Sequence, residues 1–261
     1  MSEPSELVLT ERQGHVLLLT MNRPERHHAL NRALTSRLAQ AMEEAEQDEE
    51  VRVVILTGSG TKAFCAGADM LEVSGVEREP ARESARESAG DRRISAVDAI
   101  GKFSNTPLPV IAAINGYCYG GGARLAVACD IRLASDTATF RLPGAEYGLV
   151  VAAATLPRLV GSSKAKELIF TARRFDAADA LDWGLLSAVH APGDLLAAAW
   201  SMAQEIAANS VAAVRESKRV IDAATLSAAA DEMENAVNRE LRGSPEQLER
   251  FRTATRKVTG R

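Results

Sequence analysis

Several things are scarce in this sequence, and each shortage closes off a class of function. Positive charge is not in excess: 31 Lys and Arg stand against 35 Asp and Glu, a net charge of −4, so no nucleic-acid footprint is present. No apolar run approaches the ~20 residues of a membrane-spanning helix, and no membrane association is expected. The opening Met-Ser-Glu-Pro-Ser-Glu lacks a basic stretch followed by an apolar one, so no secretory signal is expected. Cysteine is limited to Cys65, Cys118 and Cys129, an odd count without CxxC or Cys/His spacing. That pattern predicts no metal site and reduced, buried thiols in a cytoplasmic protein. Aromatic residues reach only 4%, while 46% hydrophobic and 25% charged residues describe an ordinary globular chain.

The 261 residues suffice for one large domain, or a domain with an appendage. Residues 6–10 and 15–21 predict a hairpin with its turn in Glu11-Arg-Gln-Gly14. Leu30, Leu34, Leu38, Met42 and Ala45 recur at helical spacing. Val51 to Thr57, with Val53 to Leu56 an unbroken apolar run, is a strand expected to be covered on both faces. Residues 72–93 alternate Glu and Arg, with Ala-Arg-Glu-Ser in tandem at 81–84 and 85–88, and predict a solvated helix or loop. A helix over 94–103 precedes a second buried strand at 108–114.

Beyond Asp130 come a short strand at 131–134, a loop over 140–148 and a short helix at 152–160. Ser162 or Ser163 is expected to cap the next helix, which runs through Phe170. Another short helix, 177–183, stops at Gly184, and a last strand covers 186–190. From Asp194 onward only helical stripes remain: Leu195, Ala199, Met202, Ile206; then Val211, Val214, Ser217, Ile221; then Met233, Ala236, Val237, Leu241. The chain therefore divides into a strand-and-helix body, 1–193, and a helical region, 194–261, whose stripes need a partner surface, either the body or neighbouring subunits.

Each of the two buried strands runs into a glycine-rich loop, Gly58 to Asp69 and Asn115 to Gly122. Neither matches a phosphate-binding P-loop or a dinucleotide fingerprint. The second opens a helix, whose first N–H groups lack internal partners and can hold an anion or a developing oxyanion. Two loops presenting backbone N–H groups suggest a two-donor oxyanion hole, with ordinary strand–helix turns as the alternative reading.

Asn22-Arg-Pro with Ala29-Leu30, Lys62-Ala-Phe-Cys-Ala-Gly-Ala-Asp69, Ile114-Asn-Gly-Tyr-Cys-Tyr-Gly-Gly-Gly122 and Cys129-Asp130 resemble the crotonase, or enoyl-CoA hydratase/isomerase, superfamily. Ala138-Thr-Phe140, Pro143, Gly148, Pro157-Arg-Leu-Val-Gly161 and Gly184-Leu185 continue the resemblance over nearly the whole chain. It implies an α/β fold, a spiral of ββα repeats, with C-terminal helices that build a homotrimer or homohexamer. It implies an acyl-CoA thioester as substrate, coenzyme A entering as part of that substrate and no tightly bound cofactor. By motif position, Ala68 and Gly121 would donate the two N–H groups to the thioester oxygen. Phe64, Ala66, Asp69, Met70 and Leu71 would line the coenzyme A path, with Tyr117, Gly120, Arg124, Pro143 and Gly144 as further substrate-binding residues.

At two positions the sequence departs from the resemblance. The family's hydratases carry glutamates where this chain has Arg124 and Gly144, and neither of these residues acts as a general base at neutral pH. Ordinary hydration is therefore not expected. Arg124 also opposes the helix dipole, at a cost of about 0.3–1 kcal/mol, and calls for a compensating negative group. Three readings stand: pairing with Glu146, contact with a carboxylate on the acyl group, or an Arg turned to solvent. Glu146 is the best remaining candidate acid/base, reaching the Gly144 site if the loop slips by two residues; Tyr119 and Tyr147 rank after it. His28 stands where the family usually has asparagine, and His27-His28 reads as incidental rather than as a metal pair. The expected activity is a lyase or isomerase acting on an acyl-CoA; the alternative is a non-catalytic acyl-CoA carrier, or a subunit kept for assembly.

Overall fold

The computed structural model describes residues 6–73 and 95–259; the tandem repeat at 81–88 lies outside them. β1 (Val8–Gln13) and β2 (Val16–Met21) form the expected hairpin. Its turn is tighter than expected: pairing continues to Gln13 and Val16, and Gly14 at φ 58° makes the reversal. α1 (Arg32–Gln47) starts at Asn31, whose side chain accepts the Leu34 N–H at 2.9 Å, and buries Leu34, Leu38, Met42 and Ala45.

β3 (Val53–Gly58) is parallel to β2 and is buried along its whole length. It leads to β4 (Ala63–Cys65), α2 (Met70–Val73) and α3 (Ser95–Asn105). β5 (Val110–Ile114), β6 (Tyr117–Tyr119) and α4 (Gly121–Ala128) repeat the strand–strand–helix order. So do β7 (Ile131–Ser135), β8 (Thr139–Arg141) and α5 (Pro157–Val160), after a single 3₁₀ turn at Ala145–Tyr147. This is the expected ββα spiral. α6 (Ser162–Thr171), β9 (Arg174–Asp176), α7 (Ala177–Asp182) and β10 (Ala188–His190) complete the two sheets, ordered β1-β2-β3-β5-β7-β10 and β4-β6-β8-β9.

The first sheet is covered on both faces, which explains the unbroken apolar run of β3. Val54 and Leu56 face α1, while Val53 and Ile55 face the opposite core. That opposite cover is α8 (Leu195–Ala207), which buries Leu195, Ala199, Ala203 and Ala207. The first helical stripe thus finds its partner surface in the body. α9 (Val211–Thr225), α10 (Ala228–Leu241) and α11 (Pro245–Thr259) follow. Their expected stripes are not covered by the body: Ile221 is 58% and Met233 67% exposed, and α10 instead buries Glu234 and Asn238.

Other expectations change locally. β4, β6 and β8 occupy stretches expected to be loop, because three residues are too few to show a period of two. The helix expected over 152–160 is confined to Pro157–Val160. Gly161 precedes α6, and no serine side chain caps it. Among the described residues, no helix is long and apolar enough to cross a membrane.

Candidate active site

The two glycine loops are fastened to one another. β4 and β6 pair in parallel, Ala63 with Tyr117 and Cys65 with Cys118. Asn115 adds a side-chain clasp, donating to the carbonyls of Gly58 and Gly60 at 2.7 Å each. A Cβ at Gly116 would lie 2.2 Å from the Lys62 oxygen, and one at Gly122 2.2 Å from the Cys65 oxygen. These two glycines therefore serve chain-to-chain approach rather than approach to a ligand. Gly120, at φ 52° and ψ −116°, turns the chain from β6 into α4.

This clasp brings Ala68 and Gly121 together. The Leu30 N–H donates to the Gly67 carbonyl at 2.7 Å, and the Asp69 N–H donates to the Leu30 carbonyl at 3.0 Å. Backbone N–H groups alternate direction along an extended segment, so the Ala68 N–H points away from Leu30. A Cβ built on Gly121 would sit 3.5 Å from the Ala68 nitrogen. Among the described residues, neither the Ala68 nor the Gly121 N–H has a hydrogen-bond acceptor. Ala68 is exposed and Gly121 half-buried, so an incoming oxygen can reach this pair.

The family model described as enoyl-CoA hydratase/isomerase matches residues 11–255. The chain belongs to the enoyl-CoA hydratase/isomerase family. Similar proteins include the putative enoyl-CoA hydratase/isomerase YngF of Bacillus subtilis, 41% identical over 219 residues, covering 83% of this chain and 81% of that protein. The short-chain-enoyl-CoA hydratase of Clostridium acetobutylicum is 38% identical over 218 residues, 82% of this chain and 80% of that one. Among solved structures, an enoyl-CoA hydratase/isomerase from Pseudoalteromonas atlantica T6c superposes with TM-score 0.84 at 30% identity, covering 97% of this chain and 98% of that one. A monofunctional enoyl-CoA isomerase from M. smegmatis superposes at 0.71 with 33% identity, covering 85% and 95%.

Within that family frame, the other expected site residues divide by what their side chains touch. Phe64 is fully buried, so its ring belongs to the core and cannot line a ligand path. Asp69 is 5% exposed and already engaged: Arg23 donates to it at 3.1 Å, and the Leu71 and Glu72 N–H groups donate to its other oxygen. Its role is to pin residues 66–71 against the turn after β2. Ala66 is held there too, donating to the His27 carbonyl at 2.9 Å. Met70 is half-buried, Leu71 buried, and Tyr117 42% exposed, stacked on Tyr119 with ring centroids 5.5 Å apart. Pro143 is buried beside Gly120.

Arg124 does not pair with Glu146. Its guanidinium lies 3.8 Å from Glu234 of α10, a carboxylate that local spacing on α4 could not reveal. Glu146 is held instead by Arg141, which also donates to the Ala172 carbonyl at 2.8 Å. The loop slip is not required by the structure either. A Cβ at Gly144 would meet the Leu149 oxygen at 2.7 Å and Val151 at 2.8 Å, so this glycine fills a packed corner. Tyr147, next to Glu146, has its phenol pKa raised by burial and so keeps its proton at neutral pH.

His28 is buried and braced at both nitrogens. The Arg23 N–H donates to Nδ1 at 3.0 Å, which leaves Nε2 to donate to the Ser59 carbonyl at 3.0 Å. Burial lowers its pKa below the ordinary 6.5. The unfolded chain therefore takes up a proton first as pH falls. Stability attributable to His28 is complete above about pH 6.5 and declines below it until the folded-state pKa is reached. Urea unfolding between pH 7.5 and 5 is expected to show this decline, and His28→Asn to flatten it; asparagine tolerates the left-handed backbone (φ 54°) found here. No three of His, Cys, Asp and Glu lie together as a metal site among the described residues. The three thiols are buried, which pushes Cys65 and Cys129 up to about 12 and Cys118 well above its ordinary value, so they are inert at neutral pH.

Proposed function

We propose that this chain binds acyl-CoA thioesters and stabilises the enolate-like oxygen of a lyase or isomerase reaction between the N–H groups of Ala68 and Gly121. The observation that carries this reading is the pair of unpartnered donors set side by side where two loops are clasped. A preorganised donor pair acts on charge as it develops, and so favours the transition state over the bound thioester. Coenzyme A enters only as part of the substrate.

Ordinary enoyl-CoA hydration is excluded from this reading. Arg124 is engaged with Glu234, and Gly144 has no room even for a Cβ, so the two hydratase carboxylates have no counterpart at those positions. Glu146 is the acid/base in this reading, oriented by Arg141. A double-bond shift needs one group to take a proton from one carbon and return it to the carbon two positions along, whereas hydration also needs a second to handle water.

Isothermal titration with short- and medium-chain acyl-CoAs, paired with hydratase and double-bond isomerase assays, tests the reading. Expected are micromolar binding, isomerase turnover and no hydration above background. Glu146→Gln is expected to lower turnover by about 10²–10⁴-fold with binding retained, the usual range for losing a general acid/base. Binding without turnover in the unaltered protein would identify a carrier; no binding would leave assembly as its role. The exposed Val220, Ile221 and Met233 on α9 and α10 support the trimer or hexamer, which sedimentation would test.

A further inference from the structure

α10 treats residues 150–154 as a β-strand neighbour would, but with side chains. Asn238 accepts the Val150 N–H at 3.0 Å and donates to the Val150 carbonyl at 2.8 Å. Glu234 accepts the Ala152 N–H at 3.1 Å on one oxygen and the Ala154 N–H at 2.8 Å on the other. Alternate N–H groups at 150, 152 and 154 thus face α10. Ala152 in the middle has φ 59°, a left-handed conformation that alanine disfavours and that persists only when its surroundings impose it.

The opposite side of this segment faces the site. Val151 closes on Gly144, Pro143 lies beside Gly120, and Gly120 precedes the Gly121 N–H. The oxygen of Glu234 that holds Ala152 also lies 3.8 Å from Arg124, on the same helix as Gly121. Glu234 is 5% exposed, so its negative charge has its compensation in these three partners. It is also the carboxylate that offsets Arg124 in the first turn of α4.

We infer that Glu234 is a positioning residue for the thioester site: by holding strained Ala152, Ala154 and Arg124 together, it sets the wall beside Gly120 and Gly121 from the C-terminal helices. This rests on the thioester reading above, but its test does not depend on turnover alone. The variants are Glu234→Gln, Ala152→Gly and the two combined. Glutamine keeps the shape while losing the charge and one acceptor, and glycine adopts φ 59° without penalty.

In Glu234→Gln, hydrogen exchange at the Ala152 and Ala154 amides is expected to quicken about tenfold, with cooperative unfolding retained. Turnover is expected to fall about tenfold at a KM within threefold of the unaltered value. Adding Ala152→Gly should restore most of that turnover, which a merely structural role for Glu234 would not produce. Wild-type exchange rates in Glu234→Gln, or no recovery on adding glycine, would overturn the inference. If Glu234→Gln fails to fold, Ala152→Gly alone decides: higher thermal stability with exchange at Ala154 no faster than in the unaltered protein is expected, and lower stability counts against strain at Ala152. If the unaltered protein binds no acyl-CoA, the thioester reading falls, and the exchange rates alone judge the clamp.

Discussion

Gly121→Pro is expected to lower acyl-CoA turnover about 10²–10³-fold relative to Gly121→Ala, the usual cost of one oxyanion-hole donor. The comparison isolates the N–H. Alanine and proline both add a Cβ, which meets the flexible end of Leu30 at 3.3 Å, but only proline removes the hydrogen. Gly121 is the first residue of α4, where proline's φ suits the helix and its missing N–H breaks no internal hydrogen bond. Stability should therefore change little between the two variants while kcat separates them. Equal turnover in both would remove Gly121 from the oxyanion hole and leave Ala68 without a partner donor.

The second large effect lies in the Arg23–Asp69 pair, with side chains 13% and 7% exposed. Breaking one half of such a buried pair typically costs about 3–5 kcal/mol, because the remaining charge is left uncompensated. Arg23→Met is expected in that range by urea unfolding. Arg23 also donates to the Ala29 carbonyl at 2.6 Å, so both sides of the Leu30–Ala68 bridge loosen together. Acyl-CoA affinity should fall in step, since the Ala68 N–H is aimed by that bridge. The double variant Arg23→Met/Asp69→Leu should recover much of the stability, and the double-mutant cycle measures the coupling. A loss under 1 kcal/mol for Arg23→Met would mean that the pair is solvated and does not hold the loop.

Long periodic elements were legible from residues alone. α1 announces itself through Leu34, Leu38 and Met42, and β3 through the four successive apolar residues Val53 to Leu56, because the faces they bury repeat over many positions. The second sheet was not legible, since β4, β6, β8 and β9 have three residues each and owe their extension to neighbours contributed by distant parts of the chain. The glycines of the site were visible, but the reason for them was not. Gly116 and Gly122 are small because Lys62 and Cys65 press against them, and that contact exists only after the loops have met.

By itself the sequence determined the family, through an ordered set of motifs, and the absence of glutamate at positions 124 and 144, which is a matter of residue identity. Only the tertiary structure decided who answers the charge on Arg124. Glu146, close in sequence, belongs to Arg141, and Glu234 comes from a helix far downstream. Ion pairs form between groups that folding brings within a few ångströms, and spacing along a chain reports such neighbours only inside a single helix or turn.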